Sequence, residues 1–135
     1  MADIDSHKPL IERLARKNIL VIDDDGMITK TLCDLLHRAG FYADAAADGA
    51  SGIDKTEKSD FDLIISDIRM PNIDGVQMVK RIKEIAKLKS RPDTPIIFIT
   101  GYTDDKAVAE AKRLGEVIFK PFETKEFLER IKKYI

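Results

Sequence analysis

The chain has 135 residues, of which 44% are hydrophobic and 35% charged, with a formal net charge of −1. That length holds one domain with a real core, and the near-neutral charge gives no argument for nucleic acid or an anionic membrane surface as a partner. No apolar run approaches the length of a membrane-spanning helix, the polar N-terminus lacks the apolar core of a signal peptide, and the single Cys33 excludes an internal disulfide, so a reducing, cytoplasmic location is expected.

Residues 1–18 read as a polar N-terminal extension. Leu10, Ile11 and Leu14 stand at helical spacing there, and a short helix or a frayed terminus fits equally well. The domain itself is expected over 19–135. Residues 19–23, Ile-Leu-Val-Ile-Asp, read as a buried strand. Asp24, Asp25 and Gly26 make the following loop, with Asp25 suited to a helix N-cap. Ile28, Leu32, Leu35, Leu36 and Ala39 mark an amphipathic helix over 27–39, stopped by Gly40. Cys33 lies inside it as packing.

Residues 41–45 predict a weak second strand, and Asp48-Gly49 opens a poorer helix that fades by Ser59. The third strand spans 62–67 and ends in Asp67. A Met70-Pro71 loop follows, and a helix is predicted from Gly75 to Leu88, with Val76, Val79, Ile82 and Ile85 on one face. Pro95 stands at the mouth of a fourth strand, 96–100, where no ladder donor is required. A helix over 104–114 stopped by Gly115, a short strand over 116–119 and a final helix over 123–135 complete the chain. Phe127, Leu128, Ile131 and Ile135 point inward on that last helix. Strands alternating with helices in this way imply an α/β fold, a doubly wound parallel sheet of five strands with five helices on its two faces.

In such a sheet the carboxyl ends of the strands share one edge, where ligands bind. Here those ends carry Asp23 with Asp24, Asp67 and Thr100, and the fifth strand runs into Lys120. Singly, each has an ordinary explanation as a turn carboxylate, a β-branched strand residue or a solvated lysine. Together they make coherent chemistry. Neighbouring carboxylates repel unless a cation sits among them. Hard oxygen donors without His or Cys select Mg²⁺. A carboxylate beside that ion can accept a phosphoryl group, with the hydroxyl and the ammonium group holding the phosphoryl oxygens. Gly101 leaves room for the phosphate.

The residues that carry this chemistry resemble a known family. Val21-Ile22-Asp23-Asp24, Ser66-Asp67-Ile68-Arg69-Met70-Pro71 with Asp74-Gly75, Thr100-Gly101 and Lys120-Pro121-Phe122 are similar, in order and spacing, to the response-regulator receiver domains of two-component signalling, the chemotaxis regulators among them. The resemblance covers Ile19 to Ile135. It implies a flavodoxin-like strand order 2-1-3-4-5 and a Mg²⁺-dependent signalling switch. It implies Asp67 as phosphoacceptor, Asp23 and Asp24 as the acidic pair with Asp24 the favoured direct ligand, and a metal-binding backbone carbonyl at Arg69. Thr100 and Lys120 correspond to the phosphoryl-binding groups, and the Lys120-Pro121 bond is expected to be cis.

By the same resemblance the donor is a phosphohistidine on a sensor histidine kinase or a histidine phosphotransfer protein. The downstream effector is unspecified, and no nucleic acid or membrane contact is expected of this domain. The chain is expected to catalyse its own phosphorylation and dephosphorylation without being a turnover enzyme. His7 and His37 match no role.

Three departures stand out. The chain is about two residues short between Gly115 and Lys120. Val117 occupies a position commonly aromatic in the family, with Phe119 on the same strand face. Arg69 and Tyr102 fill positions whose side chains vary and tune rates. A haloacid-dehalogenase-like phosphatase also forms an aspartyl phosphate, and Asp23-Asp24-Asp25-Gly26 superficially fits its opening motif. Its acidic motif should follow the lysine, however, whereas Asp104-Asp105 precede Lys120, and Asp67 would be left without a role. A histidine phosphotransfer protein would need a helical bundle, which the alternating strands oppose. A degenerate receiver that only binds is opposed by the intact site.

Overall fold

The computed structural model describes residues 16–101 and 106–135. The possible helix around Leu10–Leu14 and the loop residue Tyr102 lie outside the described residues.

Five strands, β1 (Asn18–Ile22), β2 (Tyr42–Ala46), β3 (Leu63–Asp67), β4 (Ile96–Thr100) and β5 (Glu116–Phe119), form one sheet in the order β2-β1-β3-β4-β5. Every neighbouring pair is parallel. The connecting helices are α1 (Gly26–Arg38), α2 (Gly49–Lys58), α3 (Gly75–Leu88) and α4 (Lys106–Leu114), and α5 (Thr124–Lys132) follows the last strand. This is the five-stranded, doubly wound arrangement expected from the alternation, and none of the described helices is long and apolar enough to cross a membrane.

Strand periodicity sorts the core into two layers. Leu20, Ile22, Ile64, Ile96 and Phe98 face one way, against Val76, Val79 and Ile82 of α3 and Val108 and Ala111 of α4. Ile19, Val21, Ile65, Ile97, Ile99 and Ile118 face the other way, against Leu32 and Leu36 of α1 and Phe127 and Ile131 of α5. The central strands are covered on both faces, which is why they read as unbroken apolar runs and not as alternating ones. Each such side chain contributes about 1.5–3 kcal/mol on burial. Cys33 packs at the margin of the second layer, as its helical position predicts.

The helix starts follow their aspartates. Asp25 accepts from Met27 N, Asp48 from Ser51 N and Asp74 from Gln77 N, each satisfying an amide left without a partner by the helix geometry. Gly40 takes φ +99, the left-handed backbone that ends α1.

Several boundaries move from their predicted places. β1 ends at Ile22, and Asp23 has left the β1–β3 ladder, donating its N–H to Ala46 O at 3.2 Å. β2 sits one residue later than expected because its register is set by pairing Tyr42 with Asn18. The expected start of α4 at 104 lies outside the described residues, and α4 runs from Lys106 to Leu114 among those described. α5 stops at Lys132, and its last turn tightens, with Tyr134 N donating to Ile131 O. α4 ends at Leu114, before Gly115 as expected, and the glycine has a second use: a Cβ there would run into the carbonyl oxygen of Ile96, so the residue permits the chain to cross close to β4.

Candidate functional site

The parallel sheet brings the predicted residues to one edge. Asp67 is the last residue of β3 and Thr100 the last of β4, while Asp23 and Lys120 directly follow β1 and β5. Asp23, Asp24 and Asp67 each present a carboxylate oxygen, and these atoms lie within 4.8 Å of one another. Lys120 Nζ stands 3.9 Å from Asp23 Oδ2. Asp23 is buried, Asp67 half-buried and Asp24 exposed, so the cluster opens to solvent on one side.

Each carboxylate is steered by backbone. Asp23 Oδ1 accepts from Asp25 N at 2.9 Å. Asp67 Oδ1 accepts from Ile68 N at 2.7 Å, and the Arg69 amide also donates to the Asp67 carboxylate. Thr100 is buried, and its carbonyl accepts from Lys120 N at 2.8 Å, which ties the ends of β4 and β5 together. The Lys120-Pro121 peptide bond is cis. Arg69 reaches the site through its main chain, its residue being otherwise exposed. A Cβ on Gly101 would meet nothing within 4 Å among the described residues.

The electrostatics of this arrangement point to a cation. Burial pushes the Asp23 carboxyl up to about 6; the Asp25 amide and Lys120 oppose that shift, and the charge of Asp67 adds to it. Asp67 is also raised, chiefly by burial, against the pull of Lys120 and the Ile68 and Arg69 amides. Two half-desolvated carboxylates beside a third disfavour full ionisation until positive charge arrives. The donor set is all oxygen, with no His or Cys in the cluster, and fits a hard divalent ion such as Mg²⁺.

Sequence reasoning placed a loop after Asp67 but missed the contacts that hold it. Ser66 Oγ donates to the Asp67 carbonyl at 2.8 Å, and Gly75 N donates to Ile68 O at 2.7 Å. Ile73 packs against Gly49 at the start of α2. In the sequence Ser66 shows as a hydroxyl interrupting an apolar strand, inside the motif that carries the family resemblance but with no role of its own. Val117 and Phe119 do share a face, both packed on the α4-side core, and Lys112 Nζ lies 5.7 Å from the centroid of the Phe119 ring.

The response regulator receiver domain family matches residues 19–132. The receiver protein CpdR of Brucella abortus is 33% identical over 124 residues, covering 88% of this chain and 97% of CpdR. The transcriptional regulatory protein FixJ of Bradyrhizobium diazoefficiens is 37% identical over 108 residues, covering 78% of this chain and 50% of FixJ. The chain therefore spans nearly all of CpdR but about half the length of FixJ. The chemotaxis protein CheY4 of Vibrio cholerae superposes with a TM-score of 0.79 at 31% identity, covering 90% of this chain and 100% of that one. The strand order, the acidic edge and these likenesses agree: the chain belongs to the response-regulator receiver domains of two-component signalling.

Proposed function

We propose that this domain is a Mg²⁺-dependent phosphorylation switch whose acceptor is Asp67. The observation that carries the reading is the convergence of the Asp23, Asp24 and Asp67 carboxylate oxygens within 4.8 Å, with Lys120 Nζ 3.9 Å from Asp23. Asp23, Asp24, Asp67 and the Arg69 carbonyl would hold the ion. Bound there, Mg²⁺ supplies positive charge that offsets the clustered carboxylates and the incoming phosphoryl oxygens.

Asp67 is the acceptor because it alone of the three ends the central strand and has its carboxylate fixed by two successive loop amides. One of its oxygens forms a bond to phosphorus as the P–N bond of the donor's phosphohistidine breaks, leaving an acyl phosphate here and imidazole on the donor. Lys120 and Thr100 hold the transferred phosphoryl oxygens. Water later cleaves the acyl phosphate and resets the switch. The donor is a sensor histidine kinase or a histidine phosphotransfer protein, and the phosphorylated form is read by a downstream effector.

Incubation with acetyl phosphate and Mg²⁺, followed by intact-mass measurement, tests the reading. One hydroxylamine-labile phosphoryl adduct is expected on the unmodified chain and none on Asp67→Asn. A labile adduct of undiminished yield mapping to Asp23 would overturn it.

A further inference from the structure

Ser66 is buried to 1% exposure between Ile22 of β1 and Phe98 of β4. A hydroxyl placed there is costly unless it is hydrogen-bonded. Its bond goes to the carbonyl of the next residue, Asp67, at 2.8 Å.

That carbonyl belongs to the peptide plane joining Asp67 to Ile68. A peptide unit is rigid, so its C=O and N–H turn together. The N–H of this same unit, on Ile68, donates to Asp67 Oδ1 at 2.7 Å. Gly75 packs against the same carbonyl from the α3 side and donates its own N–H to the next one, Ile68 O, at 2.7 Å. Holding one end of the plane therefore aims the other end at the acceptor carboxylate.

We propose that Ser66 is a positioning residue for phosphoryl acceptance: its buried hydroxyl locks the Asp67–Ile68 peptide so that the Ile68 N–H holds the Asp67 carboxylate toward Asp23, Asp24 and Lys120. This rests on Asp67 being the acceptor. Without the hydroxyl the Asp67 carbonyl keeps only the packing of Gly75, the peptide plane has more room to turn, the Ile68 N–H is held less firmly on Oδ1, and the attacking carboxylate samples non-productive orientations. Small misplacements of a reacting group are costly in rate.

The test compares the unmodified chain with Ser66→Ala and Ser66→Cys. Alanine removes the hydroxyl and leaves a small gap, whereas cysteine keeps a side-chain atom there, somewhat larger than the oxygen, but is a weak donor, so a loss common to both variants follows the hydrogen bond and not the packing. Two readouts are taken: the maximal rate of phosphorylation by acetyl phosphate at saturating Mg²⁺, and the amide proton shift of Ile68 by NMR. Both variants should lose about tenfold in maximal rate with little change in the donor concentration for half-saturation, and the Ile68 amide should move upfield in both.

A Ser66→Cys variant with the unmodified rate and Ile68 shift would show that Ser66 only fills space, and the inference fails. If Ser66→Ala unfolds, the cysteine variant still decides. If the unmodified chain takes no phosphoryl group, the assignment of Asp67 is wrong, while the Ile68 shift still reports whether Ser66 controls the peptide plane.

Discussion

Gly75 lies so close to Asp67 that a Cβ built on it would collide with the Asp67 carbonyl oxygen. The start of α3 is thereby pressed onto the residue that ends β3. Gly75→Ala should cost about 1–3 kcal/mol, as overpacking against an immovable backbone does, and should displace the loop carrying Ile68 and Arg69. Gly26, at the start of α1, has nothing within 4 Å of its built Cβ. Gly26→Ala should instead be neutral or stabilise by about 0.4–1 kcal/mol through the unfolded chain. Urea denaturation of both variants checks the contrast, and equal effects would refute it.

The acidic triplet after β1 divides its labour. Asp24 contributes an oxygen to the carboxylate cluster, whereas Asp25 Oδ1 accepts from Met27 N at 3.0 Å as the N-cap of α1. Asp24→Ala should weaken Mg²⁺ binding severalfold or more and leave stability nearly unchanged. Asp25→Ala should cost about 0.5–2 kcal/mol of stability with metal affinity largely kept. Mg²⁺ titration followed by NMR, paired with thermal melts, separates the two. Equal loss of affinity in both variants would contradict the division.

Metal-free stability should carry the mark of Asp23. Its carboxyl is raised from 3.8 to about 6 in the folded chain, so between those values the native state binds more protons than the unfolded one. Stability then falls as pH rises. The contribution is fully present below about pH 4 and lost as pH passes about 6, an effect of roughly 1–3 kcal/mol. Asp67 shifts in the same direction. In chelator, Asp23→Asn should therefore gain stability relative to the unmodified chain as pH goes from 4 to 7, and Mg²⁺ should remove most of the difference. Parallel stability curves for the two proteins in chelator would disprove this.

Cys33 should be a poor nucleophile. Burial pushes its thiol up to about 11, and the charges of Asp44 and Asp34 add to the effect. At pH 8 about one thiol in a thousand is then ionised, and the thiolate is the reactive form. Iodoacetamide labelling of the folded chain at pH 8 should run at least about tenfold slower than in urea. Equal rates would mean that the α1 face opens readily.

The number, type and order of the elements from β1 onward were legible in the amino-acid sequence alone. Runs such as Ile96-Ile97-Phe98-Ile99 and the face formed by Val76, Val79, Ile82 and Ile85 are local patterns, fully written in a few neighbouring residues. Asp25, Asp48 and Asp74 announce their helices for the same reason, since a cap bonds amides two or three residues away. The chemical inventory of the site was equally legible, because parallel strands deliver their carboxyl ends to one edge whatever their order.

Tertiary structure alone decided how those groups stand to one another. The 3.9 Å separation of Lys120 from Asp23 and the shared burial that raises Asp23 and Asp67 arise between segments far apart in the chain. The register of β2 was set by β1, and the need for glycine at 115 by the carbonyl of Ile96. The press of Gly75 on the Asp67 carbonyl likewise depends on how closely α3 approaches β3. Such close approaches leave no periodic trace in the sequence, because they are set by packing partners and not by neighbours along the chain.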